Sequence, residues 1–380
     1  MDVAIVGGGI VGLASAYELA RGDCAVTVFE KGSLGMGSTA RAAGGIRKQF
    51  STPVNVSLSL ASFPTWESFE ERFGVDIAFR RHGYLFLARE EATEETLREN
   101  VAMQNDLGVP SALLSPGEAR EHCPGLRADR FRACSYCPDD GIADPNLAVQ
   151  GYANAAREAG VEVRTKTAVT DLLAEGGRVT GLVADGEHVD ADRVVLAAGA
   201  WSRQLALGVD LDLPIAPRRR SIAVVDPETP VPETDPLTAD LDTGAYFMPE
   251  REGVAFVGGQ IGGDPDVDPD RYDDGIEMLW AAEAVERAGD LATYFGPDSR
   301  IRRGWSGLYA VTPDSHPILE ESLPGLVVAA GFSGHGFMHA PATGKVVAEL
   351  VTEGEASTVE IGPLSSDRFG EAMRTERNVV

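Results

Sequence analysis

Lysine is almost missing from this chain of 380 residues, standing only at Lys31, Lys48, Lys166 and Lys345. With 33 Lys+Arg against 59 Asp+Glu, the formal net charge is −26, which excludes nucleic acid as a partner because the phosphate backbone is bound by dense positive charge. Such a surface repels itself, and salt screens that repulsion, so the composition points to a protein adapted to concentrated salt. Cysteine is scarce as well. Cys24, Cys123, Cys134 and Cys137 are too few for a disulfide framework in a chain this long and read as free thiols. The alternative is a zinc site from His122, Cys123, Cys134 and Cys137, but adjacent ligands at His122 and Cys123 are awkward for one ion, and the expectation is no metal. No run of about eighteen uncharged apolar residues occurs, so no membrane span is expected. The first strand begins at once, leaving no room for a signal peptide, and the expected location is cytoplasmic. Internal repeats and low-complexity stretches are also missing.

What is present is concentrated at the start. Val3–Val6 is an apolar, β-branched run that reads as a buried parallel strand, and Gly7, Gly9 and Gly12 follow at G-x-G-x-x-G spacing. The first glycine permits a tight turn, the second lets main-chain amides approach a pyrophosphate, and the third lets the next helix pack on the strand. That helix, from about Val11 to Arg21, aims its positive dipole end at the phosphates. Ala25–Phe29 reads as the second strand, ending at Glu30, where a carboxylate can accept both ribose hydroxyls. A glycine-rich turn alone would be weak evidence of a ligand; strand, glycines, helix, strand and acid in order make a dinucleotide site.

Beyond it, residues 35–50 (GMGSTARAAGGIRKQF) read as a functional loop. Helices are expected over Leu58–Phe73, Glu90–Leu107, Leu147–Ala159, Gly275–Ala288 and Ala340–Leu350. Strands are expected at Ile77–Arg80, Tyr84–Ala88, Val161–Arg164, Val169–Leu173, Arg178–Val183, Val194–Gly199, Arg218–Asp226, Tyr246–Gln260 and Val327–Gly331, with Pro227–Asp242 left as a loop. The nucleotide-type signals return after Asp144 and again near the C-terminus, so that domain is discontinuous. FSGHGF at Phe332–Phe337 forms a glycine-rich turn opening a helix, whose N–H donors suit an anionic edge. His335 within it is either a cofactor contact or a satisfied structural histidine.

Four separated stretches resemble a known family, the FAD-dependent amine and amino-acid oxidoreductases related to D-amino-acid oxidase, sarcosine oxidase and dimethylglycine dehydrogenase. They are VAIVGGGIVGLASAYELA with Glu30, GSTARAAGGIRKQF, VVLAAGAWS, and the pair GLYAVTPDSHPILE and GFSGHGFMHAPATGK. The resemblance implies an α/β fold: a Rossmann-type FAD-binding domain with a parallel sheet (1–80, 144–214 and 301–365), a substrate domain built on a second, mainly antiparallel sheet (81–143 and 215–300), and a C-terminal tail (366–380). It implies FAD as cofactor. Gly7, Gly9, Ile10, Val11, Gly12, Glu30 and Lys31 would hold adenosine and pyrophosphate, with Ser38, Thr39, Arg41, Gly44 and Gly45 along the early loop. Val169 would contact adenine, Ala198, Gly199 and Trp201 would line the cofactor, and Gly334, His335, Gly336, Phe337 and Met338 would approach the flavin's pyrimidine edge.

For the reaction, the resemblance implies transfer of hydride from the carbon beside an amine to flavin, followed by imine hydrolysis. The substrate is a small secondary amine or amino acid, like sarcosine, dimethylglycine, proline or a D-amino acid. Arg47 matches the arginine that binds the substrate carboxylate, though it could also be a surface or salt-bridge residue. Tyr246 and Gln260 match pocket residues, and His335 and Met338 complete the expected catalytic set. Gly307 stands where some relatives tether flavin through cysteine, which implies noncovalent FAD. Met338 replaces a carboxylate-binding lysine, and Phe256 falls near the lysine credited with oxygen reactivity, which tilts the reading toward a dehydrogenase. Oxidation of a 2-hydroxy acid, a noncatalytic flavin-binding assembly or regulatory protein, and an NAD-binding protein are the competing readings.

Overall fold

In the computed structural model, which describes residues 1–370 and 374–379, the strand Asp2–Val6 lies at the centre of a six-stranded sheet. It pairs in parallel with Ala25–Glu30 on one side and Arg193–Leu196 on the other. Glu162–Thr165 and Leu326–Ala330 extend the parallel set, and Ile318–Leu323 closes one edge antiparallel. Successive side chains of a strand point to opposite faces. Val3 and Ile5 accordingly join a core with the helices Ile10–Ala20 and Gly336–Thr352, while Ala4 and Val6 pack on the three-stranded meander Val169–Glu175, Arg178–Ala184 and Glu187–Asp190. Both faces are covered, as a parallel sheet requires.

A second sheet of eight strands stands beside the first, in the order Arg300–Val311, Ala216–Asp226, Ala255–Gly259, Ala245–Pro249, Leu237–Asp240, Tyr84–Ala88, Ala133–Cys137 and Ala112–Leu114. All neighbours pair antiparallel except Leu237–Asp240 with Tyr84–Ala88. The same alternation divides its faces. Leu85 and Leu87 pack with the helix Met278–Leu291, whereas Tyr84 and Phe86 cluster with Tyr246 and Met248 on the opposite face.

Several expected elements differ. The long helix over Leu58–Phe73 is two helices, Pro53–Glu67 and Phe69–Phe73, because Ser68 leaves helical geometry and Pro53 sets an earlier start. Ile77–Arg80 forms only a bridge from Arg80 to Ile142, since Ala78 has a φ of 52° and interrupts an extended run. Tyr246–Gln260 is two strands, and the stretch expected as a loop at Pro227–Asp242 contains the strand Leu237–Asp240. Residues 300–311, grouped by the sequence reading with the nucleotide-binding part, pair along Ala216–Asp226 in the second sheet. The thiols of Cys123 and Cys134 lie in the core under that sheet and Cys137 in a separate apolar cluster. His122 stacks on Tyr136, and among the described residues no group of three or more His, Cys, Asp or Glu is placed to hold a metal. No helix among them is long and apolar enough to cross a membrane.

Candidate active site

A cavity of about 760 Å³ runs from the glycine turn to the face of the second sheet. At its first end the turn is fixed by close approach. Gly7 has a φ of +109°, and a Cβ on Gly12 would stand 2.0 Å from the Gly7 carbonyl oxygen, so a side chain fits at neither. Helix Ile10–Ala20 therefore starts against the strand with its N-terminus at the cavity. Glu30 is held in place by two main-chain amides, Gly8 N–H at 2.9 Å and Gly32 N–H at 2.7 Å. Lys31 lies 3.6 Å from the ring centroid of Trp201, and both pair with Asp270 at 2.8 Å. Ser38 donates to Leu308 O at 2.6 Å, and Thr39 Oγ1 accepts from Ile10 N–H at 3.3 Å, tying the early loop to the second sheet and to the first helix. Arg41 donates to Met36 O and pairs with Asp274 at 3.2 Å.

At the other end, the helix Gly336–Thr352 points its N-terminus into the cavity. Gly334 has a φ of +102°, and a Cβ there would stand 2.3 Å from the Tyr309 ring. His335 and His339 are buried and meet through their Nδ1 atoms at 3.3 Å; His335 Nε2 reaches Ser315 O at 2.9 Å and His339 Nε2 reaches Ser59 Oγ at 3.1 Å. Burial pulls His335 down to about 4 against the upward effect of the Ser315 bond, with Arg47 adding a lesser downward push, and burial, His335 and Arg47 pull His339 well below the ordinary histidine value. Both are neutral near pH 7.

Arg47 is the distinctive group of this end. It is 4% exposed, its Nη1 donates to Gln49 O and its Nη2 to Asn378 O, and its guanidinium lies 3.9 Å from the Phe50 ring centroid. Among the described residues it pairs with no carboxylate, although it lines the cavity. Arg220 also lines the cavity, but Asp264 already pairs with it bidentately. Tyr84, Tyr246 and Tyr309 stand on the same lining, and burial pushes all three phenols above their ordinary value, so they remain protonated donors.

The expected residues gather here with two exceptions. Gly12 sits behind the lining, where it lets the helix approach. Gln260 is exposed and away from the cavity: the strand ends at Gly259, whose φ of +143° breaks the alternation that would have turned Gln260 inward. Phe256 likewise lies off the cavity, packed on Trp305 with ring centroids 5.4 Å apart. Of the Arg218–Arg220 run, Arg220 alone lines the site. Sequence reading missed Tyr84, Tyr309 and Val379, which also line it. Tyr309 lay within the stretch GLYAVTPDSHPILE, a signal that could have found it.

A dinucleotide-binding parallel sheet joined across a cavity to an aromatic-lined mixed sheet defines a two-domain flavin oxidoreductase fold. The sequence profile of the FAD dependent oxidoreductase family matches residues 2–350, and the chain belongs to that family, whose cofactor is FAD. It is similar to a glycine oxidase of Geobacillus kaustophilus, 32% identical over 379 residues and covering 97% of each chain. A protein of Xenopus laevis, the FAD-dependent oxidoreductase domain-containing protein 1, is 31% identical, with 100% of this chain and 85% of that protein covered. Among solved structures, L-proline dehydrogenase from P. horikoshii superposes with a TM-score of 0.88 at 33% identity, covering 97% of each chain.

Proposed function

We propose that this chain oxidises the C–N bond of a small amino acid, with a free or N-alkylated amine, and that Arg47 binds the substrate carboxylate. The observation that carries the reading is a buried guanidinium on the cavity wall with no carboxylate partner among the described residues. A guanidinium has five N–H donors in a planar fork; with two given to main-chain carbonyls, three remain for an anion. Tyr84 and Tyr246 add neutral donors around it. The glycine turn and Glu30 fit the adenosine and pyrophosphate of FAD, and Gly334–Met338 would hold the ring at the helix N-terminus. When bound, FAD supplies the hydride acceptor.

The protein's part is to hold the substrate's C–H in reach and to keep its amine neutral. Near pH 7 the titratable groups of this end supply no strong base: His335, pulled to about 4, is a weak one, and burial keeps the three phenols protonated. An amine needs no base once deprotonated, whereas a hydroxyl does, which favours the amine over a 2-hydroxy acid. No cysteine is on the lining, which supports FAD held without a cysteinyl bond. Lys31, beside Trp201, is the one lysine on it among the described residues, which supports a dehydrogenase passing electrons to an acceptor other than oxygen.

The test is anaerobic absorbance of the FAD-loaded protein while glycine, sarcosine, dimethylglycine, L-proline, D-alanine and lactate are added singly. We expect an amino acid to bleach the flavin and air to restore it slowly. Bleaching by lactate alone, or by none of the six, would overturn the reading.

A further inference from the structure

The last described residues do not hang free of the fold. Glu376 is 2% exposed, and its carboxylate accepts five hydrogen bonds: from Ser51 N–H and Oγ–H at 2.7 Å each, Thr52 Oγ1 at 2.7 Å, Asn55 Nδ2 at 3.1 Å and Asn378 N–H at 3.0 Å. Four of these come from residues 51–55, which follow the loop that carries Arg47. Glu376 N–H in turn donates to Asp314 O at 2.9 Å, so the segment is bound on two sides. Burial pushes this carboxyl's pKa up, and the hydrogen bonds, led by Ser51, outweigh burial and hold it below the ordinary value. Asn378 is 1% exposed; its carbonyl accepts from Arg47 Nη2, and its side chain reaches Gln49 O at 3.4 Å. Val379 then lines the same cavity as Arg47, Tyr84 and Tyr246.

We propose that residues 376–379 are a wall of the substrate pocket and determine which carboxylates enter it: Glu376 anchors the segment, the Asn378 carbonyl fixes the Arg47 guanidinium, and Val379 limits the size of the group beyond the carboxylate. This rests on the reading of Arg47 as the carboxylate anchor. A long side chain already held in its binding orientation loses less freedom when the anion arrives. Two main-chain carbonyls, Gln49 O from its own loop and Asn378 O from 331 residues away, clamp the guanidinium while neither carries the charge that would compete with a substrate carboxylate. Glu376 acts only through this clamp and is a positioning residue.

The test measures dissociation constants from the shift of the flavin absorbance of FAD-loaded protein, using acetate, benzoate and the neutral twin benzamide. In a chain ended at Thr375 we expect acetate to bind roughly tenfold more weakly while benzamide, which lacks the charge and gains the space left by Val379, binds no more weakly than to the parent. Glu376→Gln, which retains an acceptor oxygen, should recover part of the acetate affinity lost in Glu376→Ala. Val379→Ala should tighten benzoate and leave acetate unchanged, and it decides the matter if the shortened chain does not retain FAD. If Arg47→Ala weakens acetate but the shortened chain and Val379→Ala bind all three probes like the parent, the proposal is overturned and the anchor reading stands. If Arg47→Ala leaves acetate binding unchanged, the anchor reading fails and the proposal fails with it.

Discussion

The two ends of the cavity are built differently. The nucleotide end is built around one continuous stretch, Asp2 to Glu30, whose strand, turn, helix and strand are neighbours in sequence and in space. The amine end is assembled from residues 47, 84, 246, 309, 335 and 379, carried on separate strands, loops and a helix. The first rests on backbone geometry in which glycine is required. The second is held by side-chain contacts across long sequence separations. A single substitution should therefore act on the whole cofactor grip at one end and on one interaction at the other.

The largest effect is expected at the glycine turn. Gly12→Val would drive a branched side chain into the Gly7 carbonyl, whose oxygen already lies 2.0 Å from the Cβ position. We expect no flavin to remain with the purified variant, read as the ratio of absorbance at the flavin band to that of the protein after gel filtration. Retention of flavin would show that the turn has slack that the close packing denies.

A smaller effect distinguishes the ends by pH. His335 and His339 are neutral in the fold, while in the unfolded chain they protonate near 6.5. The unfolded chain then binds more protons, so the stability these groups contribute is intact above about 6.5 and is lost as pH falls toward about 4. For His335 the full loss is on the order of 3 kcal/mol. Asp140, pushed up to about 6 by burial, acts in the opposite sense, because the fold holds its proton more tightly than the unfolded chain does. His335→Asn should thus flatten the decline of the melting temperature between pH 6.5 and 4.5. Parallel profiles for parent and variant would count against a histidine kept neutral by burial.

The smallest effect, spread over the surface rather than either end, is that of salt. With a net charge of −26, self-repulsion should ease as KCl rises, and the melting temperature should climb by a few degrees. A fall with salt would contradict the reading of the composition.

The contrast between the ends also explains what could be read from sequence. The first βαβ unit was legible to within a residue or so, because periodicity and glycine spacing are local signals: the helix expected from Val11 begins at Ile10, and the strand expected to Phe29 ends at Glu30. Arg47 and His335 were legible through resemblance and both line the cavity. Tyr84 was not, since nothing in YLFLA says which of its alternate faces meets the cavity until the strand is paired with Leu237–Asp240. Gln260 misled because one glycine with positive φ reversed the expected face. Residues 376–379 were set aside as part of a tail, and their place depends on hydrogen bonds to residues more than 300 positions earlier.

The most direct test of the account is anaerobic stopped-flow reduction of the flavin by the fastest-reacting amino acid of the panel and by its decarboxylated amine, in the parent and in Arg47→Ala. We predict that the variant's half-saturation for the amino acid rises roughly 100-fold, in keeping with loss of a buried charge-assisted pair, while that for the amine is unchanged. Equal shifts for both compounds, or none, would contradict Arg47 as the carboxylate anchor.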